Sequence, residues 1–229
     1  MIISNQVVLV TGANRGLGRE IAKELVAKGA KVYAAARNIA SIDYQGVIPI
    51  QLDITNEESI NKAFEKIQDL TILVNNAGIS KGTSFLAGDI DDIKEELNTN
   101  FFGTLAVSRE AITIFKKNNQ GFILNILSAL SWLSVAGATT YAASKAAEWS
   151  LTNGLRLELS TENIKVSGLH VAFMDTDLTK GLSIPKESPE DVAKCAVKGL
   201  EEEKLEIIAD QVSAQVQKGL AGGVEELYS

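Results

Sequence analysis

The sequence predicts an α/β fold: a parallel sheet with helices packed on both faces. Two observations carry this. Short apolar runs alternate with helically patterned stretches almost from end to end, and the first run breaks at once into a Gly-rich turn that opens a helical pattern. Alternation of this kind requires crossover connections, which make neighbouring strands parallel and cover both faces of the sheet. No long linker, repeat or low-complexity segment divides the pattern, so residues 1–229 read as a single domain with a short helical tail from about residue 211.

The elements follow in order. Residues 6–11 contain Val-Val-Leu-Val, a buried-strand run. Residues 17–28 then place Leu17, Ile21 and Leu25 at helical spacing and close at Gly29, a residue suited to a helix C-cap. Residues 31–36 and 47–52 are the second and third strands, followed by a helix from about 59 to 67. Residues 72–75 form the fourth strand. Helical stretches over 90–101 and 104–116 lead to the fifth, residues 122–127. A long helix spans about 140–159, a sixth strand 165–171, a helix 189–202 and a seventh strand 206–209.

Composition narrows the function classes. A 229-residue chain with 45% hydrophobic and 22% charged residues is ordinary for a globular protein. Its net charge of −7 argues against a nucleic-acid surface. Cys195 is the only cysteine and His170 the only histidine, so neither an internal disulfide nor a multi-Cys or multi-His metal site is expected. With no basic region before an apolar stretch and no apolar run near the roughly 18 residues of a spanning helix, the chain reads as cytoplasmic and without a membrane partner.

The turn Thr11-Gly12-Ala13-Asn14-Arg15-Gly16-Leu17-Gly18 joins the first strand to the first helix. Unpaired N–H groups at a helix N-terminus suit a pyrophosphate, and glycine lets the backbone approach it. The spacing Gly12-x-x-x-Gly16-x-Gly18 departs from the common GxGxxG pattern. Arg37 follows the second strand, where the adenosine ribose is expected. With Arg15, it suits a 2′-phosphate, hence NADP(H), unless both arginines are simply solvated. Asp53 and Ile54 end the third strand, where Asp53 is placed to accept from an adenine amino group. Asn75-Asn76-Ala77-Gly78 ends the fourth; asparagines there either stabilise a turn or bind a ligand.

Tyr141 and Lys145 lie four residues apart, on one face of a helix, and Ser128 lies 141 − 128 = 13 residues upstream. A free tyrosine ionises near pH ~10, and a neighbouring ammonium is expected to lower that value. In this reading Tyr141 exchanges a proton with a carbonyl or alcohol oxygen and Ser128 orients that oxygen. Lys145 holds the nicotinamide ribose and tunes Tyr141, and Asn100 anchors a proton-relaying water.

Together these residues resemble the short-chain dehydrogenase/reductase superfamily, in its short single-domain branch, over residues 7–191. The resemblance is carried by Thr11-Gly12-x-x-x-Gly16-x-Gly18, Asp53, Asn75-Asn76-Ala77-Gly78, Asn100, Ser128 and Tyr141-x-x-x-Lys145. It implies a three-layer Rossmann-type, doubly wound sheet in the order 3-2-1-4-5-6-7, a nicotinamide cofactor and NADP preference. It also implies a homodimer through a four-helix interface built from residues 104–116 and 140–159, with a tetramer possible. Two departures stand out. The sixth strand runs into Val171-Ala172 where the family has Pro-Gly, before Thr176 at the nicotinamide end. The C-terminus lacks the family's Gly-rich ending.

The expected substrate is a small hydrophobic aldehyde, ketone or alcohol. Its pocket would be lined by Leu130, Trp132, Val135, Met174, Leu178 and Leu182, with Trp132 either wall or core and Lys180 the nearest cation. The resulting expectation is NADPH-dependent carbonyl reduction. A non-catalytic NADP(H) sensor or an NAD-linked alcohol dehydrogenase are the alternatives.

Overall fold

The first strand shows how the sequence pattern becomes layers. Successive side chains of β1 (Val7–Thr11) point to opposite faces. Val8 and Val10 pack with Leu17, Ile21 and Leu25 of α1 (Gly16–Ala27), while Leu9 packs on the opposite side of the sheet. The computed structural model describes residues 1–181 and 183–228, so Leu182 lies outside the described residues.

The remaining strands are β2 (Lys31–Ala36), β3 (Ile48–Gln51), β4 (Ile72–Asn75), β5 (Gly121–Ile126), β6 (Ile164–His170) and β7 (Glu206–Ile208). All pair in parallel in one seven-stranded sheet of order β3-β2-β1-β4-β5-β6-β7. One face is covered by α1 and α6 (Pro189–Glu201). The other is covered by α2 (Glu57–Phe64), α4 (Thr104–Asn118) and α5 (Thr139–Glu158). This is the three-layer Rossmann-type arrangement, and its strand order reverses between β1 and β4, which opens a crevice at their carboxyl ends.

Differences from the sequence-based expectations have local causes. α2 ends at Phe64 rather than near residue 67, and the Ile67 N–H turns back to the Phe64 carbonyl at 3.2 Å. Ile67 is nonetheless fully buried, so the apolar spacing that suggested a longer helix reports burial, not backbone. Between α3 (Ile90–Leu97) and α4 the chain does not break: a π-helical turn, Asn98–Gly103, joins them. Such turns take up an extra residue and occur at functional sites.

The segment after β6 solves its missing Pro-Gly differently. The Ala172 N–H donates to Asp210 Oδ2 at 2.9 Å, and the other Asp210 oxygen accepts from Ser213 N at 2.8 Å to cap α7 (Gln211–Gly219). After α8 (Gly223–Leu227), the Tyr228 hydroxyl accepts from Ser134 N at 2.9 Å. The tail thus folds back over the strand ends. Among the described residues no helix is long and apolar enough to cross a membrane.

Candidate active site

The crevice opens as a cavity of about 1170 Å³, lined at one end by the Gly-rich turn and at the other by Ser128, Tyr141 and Lys145. That volume exceeds a typical small-ligand pocket of roughly 300–1,000 Å³ and accommodates a large ligand.

The turn is built for close backbone approach. Gly12 and Gly16 have φ of +64° and +54°, and a Cβ on Gly12 would stand 3.0 Å from Ala77 Cα. Gly18 lies beneath the turn, not in the cavity wall, because its Cβ would fall 2.3 Å from Asn76 Nδ2 and 2.5 Å from the Gly12 carbonyl. Asn76 Nδ2 donates to the Thr11 and Gly12 carbonyls at 2.9 and 3.2 Å, clamping the turn. Asn14, Arg15, Gly16 and Leu17 face the cavity, and no side chain caps the N-terminus of α1. Its free N–H groups and helix dipole therefore point at the space, a fit for a pyrophosphate.

Ala36, Arg37, Asp53, Ile54, Ala77, Gly78 and Thr176 also line the cavity. Arg15 is ion-paired to Asp177 across the rim. Asp53 Oδ1 accepts from Thr55 N at 3.0 Å and Thr55 Oγ1 at 2.7 Å, while Asn56 caps α2 by accepting from Ser59 N at 2.8 Å. Asn75 is buried behind the wall, donating to Ser108 Oγ at 2.9 Å and Asn125 Oδ1 at 2.8 Å. Its side chain ties β4 to β5 and α4, so the expectation that it contacts a cofactor is corrected; Asn76 takes the place at the cavity.

Ser128 follows β5, and Tyr141 and Lys145 project one turn apart from α5. The Ser128 hydroxyl accepts from Leu130 N at 3.1 Å, and it lines the cavity together with Tyr141. Lys145 Nζ donates to the Ile126 carbonyl at 2.8 Å and to Glu148 Oε2 at 2.6 Å. Asn100, fully buried in the π turn, donates to the Ile79 carbonyl at 2.9 Å and to Ser144 Oγ at 2.8 Å, and accepts from Ile79 N at 2.9 Å. It stands behind Gly78, whose added Cβ would come within 3.1 Å of Asn100 Oδ1 and 3.8 Å of Lys145 Nζ.

Electrostatics depart from the simple expectation. Burial pushes the Tyr141 phenol above its ordinary value; Lys145 pulls it down, but Glu148 and Glu96 push it up further. Burial would strip the Lys145 proton, yet the Glu148 carboxylate and Tyr141 outweigh it and hold the ammonium above the ordinary lysine value. Tyr141 therefore rests as a neutral phenol beside a charged lysine.

Leu130, Val135, Met174 and Leu178 line the cavity. Trp132 does not. The 3-10 turn Ala129–Ser131 aims Leu130 inward and sends Trp132 the other way, where its ring stacks on His170 at 3.7 Å and meets Trp149 edge-on at 6.3 Å. It is half-buried against these two rings and does not line the cavity, so its reading as a pocket wall is corrected. His170 is buried, its ring nitrogens 3.1 Å from the Ser128 carbonyl and 2.9 Å from Glu206 Oε2. Sequence reasoning missed Glu148, although its place three residues after Lys145 signals a shared helix face. It also missed Lys186 at the cavity and the i, i+4 pair Val212 and Val216 by which α7 closes one side.

A glycine turn at the switch point of a parallel sheet, with Ser128, Tyr141 and Lys145 gathered beyond it, defines a dinucleotide-linked oxidoreductase. Residues 6–187 match the short chain dehydrogenase family, and the chain belongs to it. It is 35% identical to the 3-oxoacyl-(acyl-carrier-protein) reductase of Aquifex aeolicus, over 79% of each chain. It is 31% identical to the enzyme of the same name from Salmonella typhimurium, covering 100% of this chain and 89% of that one. Among solved structures, a short chain dehydrogenase from Burkholderia cenocepacia, in complex with NADP, is 31% identical over 100% of both chains with a TM-score of 0.95.

Proposed function

We propose that the chain is an NADPH-dependent carbonyl reductase, reversible in principle. The observation that carries this is the convergence of Ser128, Tyr141 and Lys145 on one end of a cavity whose other end is the uncapped N-terminus of α1. NADP(H) linkage is supported by the NADP bound in the Burkholderia relative and by Arg15 and Arg37 at the cavity. When bound, the nicotinamide supplies or accepts the hydride.

The chain's own residues handle the proton. Tyr141, held as a neutral phenol, donates to the substrate oxygen, which the Ser128 hydroxyl hydrogen-bonds and orients. Lys145 holds the nicotinamide ribose and balances negative charge left on the tyrosine. Asn100 braces the wall beside Lys145 and anchors a water through which the proton is replaced. Apolar Leu130, Leu133, Val135, Met174 and Leu178 favour a hydrophobic aldehyde or ketone. A second reading, an acidic or carrier-linked 3-oxoacyl substrate like that named for the Aquifex and Salmonella enzymes, is favoured by Lys180 and Lys186 at the same cavity.

The test is a titration with NADPH and NADH followed by nicotinamide fluorescence, then a panel of aldehydes, ketones and 3-oxoacyl thioesters. NADPH preference with turnover is the expected result. Tight binding without turnover on the panel favours a sensor, and binding of neither nucleotide overturns the reading. Tyr141→Phe separates enzyme from sensor: turnover should fall by about 10²–10⁴-fold while NADPH binding persists.

A further inference from the structure

Glu148 has no task in the proton transfers described above, yet it is the group most closely engaged with Lys145. Its side chain is 1% exposed and lies 2.6 Å from the Lys145 ammonium, itself 6% exposed. Removing one partner of such a buried pair strands the other's charge. The glutamate is braced from its surroundings: Thr104 of α4 donates to Oε1 at 3.4 Å, and Thr152 Oγ1 donates to the Glu148 carbonyl at 2.8 Å. An ammonium has three hydrogens. Glu148 takes one and the Ile126 carbonyl another, which leaves one for the cavity that Lys145 lines.

We propose that Glu148 is a positioning residue: its buried carboxylate keeps Lys145 charged and fixes the direction of the ammonium's remaining hydrogen. The inference rests on the roles given to Tyr141 and Lys145 under the proposed function. The ionisable groups acting on this pair are Tyr141 on α5 and, through Tyr141, Glu96 on α3; β5 contributes the Ile126 carbonyl and the π turn the neutral Asn100.

Burial pushes the Glu148 carboxyl above its ordinary value, while Lys145 and Thr104 pull it back towards the charged form that pairs with the ammonium. A negative charge at Glu148 raises the proton affinity of both Tyr141 and Lys145. Carbonyl reduction needs the phenol protonated and the ammonium charged, so its rate falls as pH rises through the first of the two to lose a proton. Removing the charge lowers both values and brings that fall to lower pH.

Glu148→Gln keeps an acceptor for Lys145 and removes the charge. The alkaline limb of the kcat profile for reduction should move down by about one pH unit or more, with NADPH affinity at neutral pH retained. Glu148→Asp should keep the limb near its original position. A Gln limb that coincides with that of the parent enzyme, or an Asp limb displaced as far as Gln, overturns the proposal. Should the Gln variant not fold, the unaltered protein with NADPH and isotope-labelled lysine answers by NMR, with Lys145 assigned from Lys145→Arg. Its resonance should stay in the charged form past the free-lysine value of about 10.4, and titration below that overturns the proposal. That measurement needs no turnover, so a failure to find a carbonyl substrate counts against the proposed function and leaves the pairing testable.

Discussion

Arg37 and Arg15 differ in what they are free to do. Arg15 is tied to Asp177 at the cavity rim, whereas Arg37 faces the cavity just beyond β2. Discrimination between NADPH and NADH is therefore predicted to fall first on Arg37, a guanidinium suited to a dianionic phosphate. Charged hydrogen bonds contribute about 1.5–3 kcal/mol. Arg37→Asp should accordingly weaken NADPH binding about 10- to 100-fold and leave NADH binding nearly unchanged or improved, as read by fluorescence titration. Equal losses for both nucleotides would remove Arg37 from the 2′-phosphate. A small loss for NADPH would favour the NAD-linked alternative. Much of this was legible at the level of single residues, because glycine, Tyr-x-x-x-Lys and paired arginines each carry a chemical requirement. Asn75 and Asn76 show the limit: adjacent residues of one type point to opposite sides of a strand end, and only the register decided which met the cavity.

At the scale of elements, strands were read to within a residue or two because their apolar runs are short and bounded. Helix ends were less legible, as Ile67 and the π turn illustrate, since burial continues where the helix does not. The joining of β6, β7 and α5 was not legible at all. It depends on Glu206 meeting His170 Nε2 at 2.9 Å and Arg156 Nη1 at 2.8 Å, three residues far apart in sequence. Burial works to raise the Glu206 carboxyl, but its hydrogen bonds to His170 and Arg156 win and hold it below the ordinary carboxylate value. A folded value below the unfolded one, about 4.3, means stability that is complete above that pH and lost as pH falls through the folded value. Glu206→Gln should cost about 1–2 kcal/mol in urea unfolding at neutral pH. The gap from the parent protein should close in acid, below pH ~4. A gap that persisted undiminished at pH ~2 would show that packing, not charge, is what the glutamate contributes.

Over the whole molecule, α5 turns Tyr141 and Lys145 to the cavity, while large apolar side chains at its far end and before α4 are exposed. Phe102, at the entry to α4, is 56% exposed and Leu157, near the end of α5, is 77% exposed. A second hollow of about 440 Å³ lies beside Phe102, Ala106 and Arg109. These features lie on or next to the two helices for which a four-helix dimer interface is expected from sequence. Meanwhile the C-terminal tail is engaged with its own chain: Asp210 holds Ala172, and Tyr228 meets Ser134. The tail is anchored at these two points, while its last helix stays exposed, with Val224 at 74%. Buried aromatic anchors at interfaces contribute about 2 kcal/mol or more, and a buried unpaired carboxylate adds to the loss. Phe102→Glu and Leu157→Glu should each weaken dimerisation by at least about 30-fold, giving monomers in sedimentation at micromolar concentration with an unchanged far-ultraviolet spectrum. NADPH should still bind the monomer, because the glycine turn, Arg37, Lys145 and Thr176 are brought to one cavity within a single chain. A parent protein that sediments as a monomer, or variants that dimerise as it does, would place the subunit contact elsewhere.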